Sequence, residues 1–146
     1  MSKKTEVATA KFDQGFNCAQ SVLYSFCDDL HFDADTALKM ASGLGAGMGR
    51  NEEVCGAVTG GIIVIGAKYG MSETGDLDAK ELTYTKTQEL MQRFAEKNGS
   101  FICRRLLREA DLKTDEGQKF YKENDLHHQV CLRCIQSSVE ILEDIT

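Results

Sequence analysis

The stretch from Ser42 to Gly70, SGLGAGMGRNEEVCGAVTGGIIVIGAKYG, holds nine of the chain's 13 glycines. Glycine costs roughly 0.5–1 kcal/mol relative to alanine inside a helix, so its concentration here marks backbone that something approaches closely. After Cys55 the segment is apolar and uncharged until Lys68. Small residues at Gly56, Thr59, Gly60 and Gly66 alternate with bulky Ile62, Ile63, Val64 and Ile65. This pattern predicts a central helix, apolar on most sides and crossed at short range by its neighbours. The β-branched run also suits a buried strand, but Gly60-Gly61 in its middle and a length of about four turns favour the helix. Cys55 falls in the first turn of that helix.

The flanking chain reads as further helices. Lys3 to Gln14 forms a weak amphipathic helix that Gly15 ends, and Asn17 caps a helix from Cys18 to Leu30. Cys18 and Cys27 then lie on opposite sides of one helix and do not readily share a site. Asp33 or Asp35 caps a third helix, which Gly43 terminates. The loop Gly43 to Gly49 invites a phosphate-binding reading, yet it follows a helical pattern and lacks both the Gly-x-Gly-x-x-Gly spacing and a Gly-Lys-Ser/Thr. A tight helix-to-helix connection is the better account. Leu77 to Lys97 is a long helix with Leu82, Leu90, Met91 and Phe94 as candidate core, stopped by Asn98-Gly99. Ser100 is expected to cap a helix over FICRRLLREADL, with Cys103 in its first turn. Asp115 and Gln118 have the spacing of a capping box for a short helix around Phe120 and Tyr121. The last helix runs from about His128 to Asp144. The expectation is an all-α fold: a single compact domain over residues 1–146, with about six to eight helices around the glycine-rich one.

Six cysteines are more than packing requires. The first twenty residues have no apolar run resembling a signal peptide, and no stretch reaches the ~18 apolar residues of a membrane span. These features predict a soluble, cytoplasmic protein, where a static disulfide framework is out of place and metal binding or thiol chemistry is the sharper reading. The net charge of −6 disfavours nucleic acid or an anionic membrane as partner. Cys18, Cys55 and Cys103 are all placed at helix starts, where free amides and the helix dipole favour a thiolate. Cys131-Leu132-Arg133-Cys134 puts two more thiols one turn apart. Arg50 near Cys55, and Arg104, Arg105 and Arg108 around Cys103, could stabilise thiolates or bind an anion. His127 and His128 could relay protons or ligate metal, against the plainer reading of a polar helix start.

Several motifs carry a family resemblance. They are GFNCAQSV at Gly15–Val22, SGLGAGMGR at Ser42–Arg50, CGAVTGG at Cys55–Gly61, VIGAKYG at Val64–Gly70, CRRLL at Cys103–Leu107, and Cys131 before VEIL. In this order they resemble the C_GCAxxG_C_C family of redox proteins, from about Phe12 to Leu142. The resemblance implies a small, mostly helical bacterial or archaeal protein whose defining cysteines are Cys18, Cys55, Cys103 and Cys131. Selenocysteine in some relatives implies redox chemistry over structure. Cys27 and Cys134 depart from the four-cysteine pattern.

Two functions follow as expectations. The first is thiol–disulfide or peroxide-type redox chemistry at a pocket formed by Cys18, Cys55, Cys103 and Cys131. Cys55 is the preferred nucleophile, and no cofactor is needed. The expected partners are a thiol reductant or a small redox substrate, and the chain is compatible with a homo-oligomer. The alternative is a non-enzymatic module in which the same four cysteines hold zinc or an iron–sulfur cluster.

Overall fold

Asn17 shows how local chemistry begins a helix here. Its side chain accepts from the Gln20 amide at 2.9 Å while the Gln20 side chain accepts from the Asn17 amide at 2.9 Å, a reciprocal capping box. In the computed structural model, which describes residues 1–146, such starts build eight α-helices and no strand, as the sequence predicts. They are α1 (Lys3–Asp13), α2 (Cys18–Leu30), α3 (Ala34–Ala41), α4 (Gly56–Tyr69), α5 (Leu77–Asn98), α6 (Cys103–Leu106), α7 (Asp115–Glu123) and α8 (Leu132–Ile145). A π-helical turn, His127–Cys131, leads into α8. No helix is long and apolar enough to cross a membrane.

The central helix is α4, and its glycines work as contact points. A Cβ on Gly60 would stand 2.6 Å from the Ala19 carbonyl oxygen, and one on Gly56 3.1 Å from Cys18 Cβ. Helix α2 therefore lies directly on this face. On another face, a Cβ on Gly61 would meet Leu90 of α5 at 2.9 Å and Ser138 of α8 at 3.1 Å. Ser138 is fully buried and its hydroxyl donates to the Ala57 carbonyl at 2.7 Å, which fastens α8 to the start of α4. Gly66, by contrast, has no neighbour within 4 Å and crosses nothing.

The glycine loop is a short 3₁₀ turn, Ser42–Leu44, followed by a turn of the opposite hand. Ala46, Gly47, Met48, Gly49 and Arg50 are consecutive residues with φ between 53° and 69°. Left-handed backbone costs an ordinary L-residue about 1–2 kcal/mol, so three side-chain-bearing residues in that state are strained. Gly47 is required twice over. Its φ is +66°, and a Cβ there would sit 2.5 Å from Glu52 Cα.

Four sequence expectations need correction. The helix placed over Phe101 to Leu112 is a single turn, Cys103–Leu106: the segment before it pairs with the segment before Cys55, and Arg108 and Glu109 after it are left-handed. Val54 and Ile102 form an isolated antiparallel bridge, with the Cys55 amide on the Phe101 carbonyl at 2.8 Å and the Cys103 amide on that of Glu53 at 2.7 Å. Ser100 does not cap it: the Ser100 hydroxyl accepts from the Ile102 amide at 3.0 Å, inside the turn. Helix α7 is capped by Thr114, whose hydroxyl accepts from Gly117, and Gln118 instead donates to the Leu112 carbonyl. Leu82, expected in the core, is 42% exposed, whereas Leu90 and Phe94 are fully buried.

Apolar side chains collect into a large cluster around α2, α4 and α8 and a small one formed by Cys103, Leu107, Ala110, Leu112 and Leu126. Val130 and Cys131 pack against both. The seam between the two clusters is where the fold leaves space.

Candidate functional site

That space is a cavity of about 160 Å³, lined by Cys18, Cys55, Cys103, Cys131 and Cys134 together with Tyr121 and apolar side chains. Each cysteine arrives by a different device. The Asn17 cap places Cys18 at the first position of α2. Cys55 immediately precedes α4, and Gly56 lets it lie against Cys18. The Val54–Ile102 bridge brings Cys103, the first residue of α6, alongside Cys55. Cys131 ends the π turn and Cys134 follows in the first turn of α8. All six cysteines are free thiols.

The four cysteines singled out from sequence thus share one cavity, and Cys134 joins them. Cys27 does not. It is buried on the far side of α2, where its thiol meets the Leu23 carbonyl at 3.5 Å. The clue to Cys134 was its place one turn after Cys131; nothing local pointed to Tyr121.

Within the cavity the sulfurs pair. The Cys18 and Cys131 thiols act on each other's acidity, and so do those of Cys134 and Cys55. The Tyr121 hydroxyl donates to Cys131 Sγ, at 3.5 Å. The neighbouring Cys18 thiol and the Tyr121 hydroxyl favour the charged form of Cys131 and hold its pKa below the ordinary thiol value against the opposing effect of burial. Cys18 is pushed up, first by its neighbour Cys131 and then by burial. Cys134 is pushed up for the same reasons, with Cys55 as the neighbour. Burial raises Cys103 as well. Tyr121 is raised by burial first and next by the neighbouring Cys131 sulfur. A helix start therefore does not make a thiolate of Cys18 or Cys103. The dipole contributes about 0.3–1 kcal/mol at exposed sites, and removal from water opposes it.

Of the arginines expected to serve the thiols, Arg104 lies 3.5 Å from Glu52 Oε1. Its charge pulls Cys103 down while Glu52 pushes it up, and neither overcomes burial. Glu52 is 2% exposed; it accepts from the Leu112 amide at 2.8 Å through Oε1, while Oε2 has no partner. Arg105 and Arg108 face away from the cavity. With Lys97 and Arg133 they line a groove of about 420 Å³ that shares Leu106, Val130 and Cys134 with the cavity wall. Arg50 is exposed.

A tetrahedral Cys₄ zinc ion, with Zn–S bonds near 2.3 Å, holds its sulfurs about 3.8 Å apart. The group of His, Cys, Asp and Glu side chains whose ligand atoms come within 4.8 Å of one another is Asp13, His127 and His128, outside the cysteine cavity.

Residues 16–145 match the family described as "Putative redox-active protein (C_GCAxxG_C_C)". The chain belongs to the C_GCAxxG_C_C family. The match includes all five cavity cysteines and Tyr121 and leaves only the ends of the chain outside it. No curated protein and no solved structure was found to match. For this family member, redox activity is therefore the coarse description, and the arrangement of sulfurs must supply the rest.

Proposed function

We propose that the protein carries out thiol–disulfide exchange or peroxide reduction with Cys131 as the attacking thiolate and Cys18 as the resolving thiol. The observation that carries this reading is the half-buried Cys131 sulfur, which accepts from the Tyr121 hydroxyl at 3.5 Å in the cavity it shares with Cys18. The sequence alone favoured Cys55 as nucleophile. Cys55 is only 5% exposed, and no hydroxyl reaches its sulfur as Tyr121 reaches that of Cys131. Reactivity requires both a thiolate and a path to it, so the assignment moves to Cys131.

The chemistry balances as two electrons. With a disulfide substrate, Cys131 S⁻ bonds one substrate sulfur and expels the other as a thiolate, which takes up a proton. The Cys18 sulfur, losing its proton, then attacks Cys131. A Cys18–Cys131 disulfide forms and the second substrate thiolate leaves. With a peroxide, Cys131 S⁻ takes one oxygen to become a sulfenic acid and releases an alkoxide or hydroxide. Cys18 then condenses with the sulfenic acid and releases water. An external dithiol returns the pair to the reduced state. Cys55 and Cys134 form a second dithiol in the same cavity wall, placed to exchange with the first.

Exposure of the reduced protein to hydrogen peroxide or a small disulfide, followed by mapping of cross-linked peptides, tests this. A Cys18–Cys131 bond is expected as the first intramolecular product. Oxidation that leaves Cys18 and Cys131 as free thiols would overturn the assignment.

The iron–sulfur alternative separates its thiolates more widely than a single ion does and is decided by composition. Iron and acid-labile sulfide, at stoichiometric levels in anaerobically purified protein, would replace the redox-dithiol reading.

A further inference from the structure

Outside the cysteine cavity, three metal-competent side chains converge where the end of α1 meets the π turn. His127 Nε2 lies 3.4 Å and His128 Nε2 3.8 Å from Asp13 Oδ1, and the three potential ligand atoms are all within 4.8 Å of one another. An ion with metal–nitrogen and metal–oxygen bonds of 2.0–2.2 Å in tetrahedral geometry spaces its ligand atoms about 3.4 Å apart. The approach needed to close on an ion is small.

The rings are also held in the orientation that ligation needs. His128 Nδ1 is 2.9 Å from Asp125 Oδ1. A carboxylate there accepts Nδ1–H, which places the lone pair on Nε2, the nitrogen turned toward Asp13. A carboxylate behind a ligating imidazole is the arrangement that fixes tautomer and direction in metal sites. Asp125 has φ of 50°, and this left-handed residue turns the chain where its side chain meets His128. His127 is fixed differently, by stacking on Phe12 with ring centroids 3.9 Å apart and an interplanar angle of 9°.

We propose that Asp13, His127 and His128 form a binding site for one divalent transition-metal ion of the zinc class, with Asp125 as the supporting carboxylate. Two imidazoles and one carboxylate suit Zn²⁺, Co²⁺ or Ni²⁺ over Mg²⁺ or Ca²⁺, which prefer all-oxygen shells. The remaining coordination positions face solvent, since Asp13 and His128 are exposed. An ion here ties α1 to the turn His127–Cys131, in which the Leu132 amide bonds the His127 carbonyl. Phe12 stacks on His127 and also lines the cysteine cavity, so the ion is adjacent to the thiols without using them.

Titration of the reduced protein with Co²⁺ tests the site, because sulfur ligation gives a sulfur-to-cobalt charge-transfer band and nitrogen–oxygen ligation does not. Wild type is expected to bind one more equivalent than His128→Ala or Asp13→Asn, and the difference spectrum is expected to lack that band. Asp125→Asn weakens binding by about tenfold or more. Cys131→Ser keeps the ion, which separates this proposal from the thiol chemistry. Zn²⁺ is expected to raise the thermal midpoint of wild type and of Cys131→Ser but not of His128→Ala. Equal stoichiometry in wild type, His128→Ala and Asp13→Asn would overturn the proposal. So would a charge-transfer band that accompanies the only bound equivalent and disappears in Cys131→Ser.

Discussion

The two thiol pairs of the cavity make an instructive contrast. In each, one cysteine has its pKa raised through its neighbour: Cys18 through Cys131, and Cys134 through Cys55. Cys131 has a donor in Tyr121 and lies half-buried, while Cys55 and Cys134 are 5% and 2% exposed. The first pair joins the seam between the two apolar clusters, where the π turn carries Cys131 past the end of the main core. The second belongs wholly to that core, and the Ser138–Ala57 hydrogen bond one turn along α8 locks it in place. In the proposed chemistry the first pair reacts first, because Cys131 has the Tyr121 hydroxyl and partial exposure, and the second pair exchanges with it afterwards.

The contrast can be broken most sharply by exchanging cysteine for serine. Cys131→Ser is expected to slow reduction of a small disulfide by about two orders of magnitude or more, since the nucleophile itself is removed. Cys55→Ser should leave the first turnover within about tenfold of wild type. Stopped-flow single-turnover rates compare the two, and the reverse order would exchange the roles of the pairs. A smaller effect isolates the Tyr121 donor. Hydrogen bonds to charged groups contribute about 1.5–3 kcal/mol, and 1.36 kcal/mol corresponds to one pH unit. At 3.5 Å the Tyr121 bond belongs at the weak end. Tyr121→Phe is therefore expected to move the midpoint of Cys131 alkylation upward by about one unit. The sign follows from the bond's preference for the thiolate, and an unchanged midpoint would remove Tyr121 from the account. The smallest effect concerns the locked side. Ser138→Ala loses a buried hydrogen bond of about 1 kcal/mol, so the thermal midpoint falls by about 3 °C while Cys131 reactivity stays as in wild type.

Sequence made the helices legible because their signals are local. Asn17, Asp33 and Asp76 cap within three residues, and Gly99 takes the left-handed conformation that ends α5. The central helix was legible as well, since Gly56, Gly60 and Gly61 have no other reason to interrupt an apolar run. The cavity was only partly so. Cys18, Cys55 and Cys103 could be placed at helix starts, but what joins Cys55 to Cys103 is the Val54–Ile102 bridge, a pairing of distant segments with no local signature. The same bridge delayed the predicted helix after Ser100, and the left-handed Arg108 and Glu109 keep it to one turn. Tyr121 and Glu52 were missed for a related reason, because their partners Cys131 and Leu112 come from other elements. Thiolate character was misplaced because helix position is read along the chain, whereas burial and side-chain donors are properties of the folded interior.

Cysteine-resolved alkylation of the reduced protein across pH bears most directly on the claim that Cys131 is the thiolate. With a limiting amount of iodoacetamide and peptide-level mass spectrometry, Cys131 is expected to be modified first, with a midpoint below the value of about 8.5 of an ordinary thiol. Modification that begins at Cys18, Cys103 or Cys134, or a Cys131 midpoint at or above that value, would contradict the account.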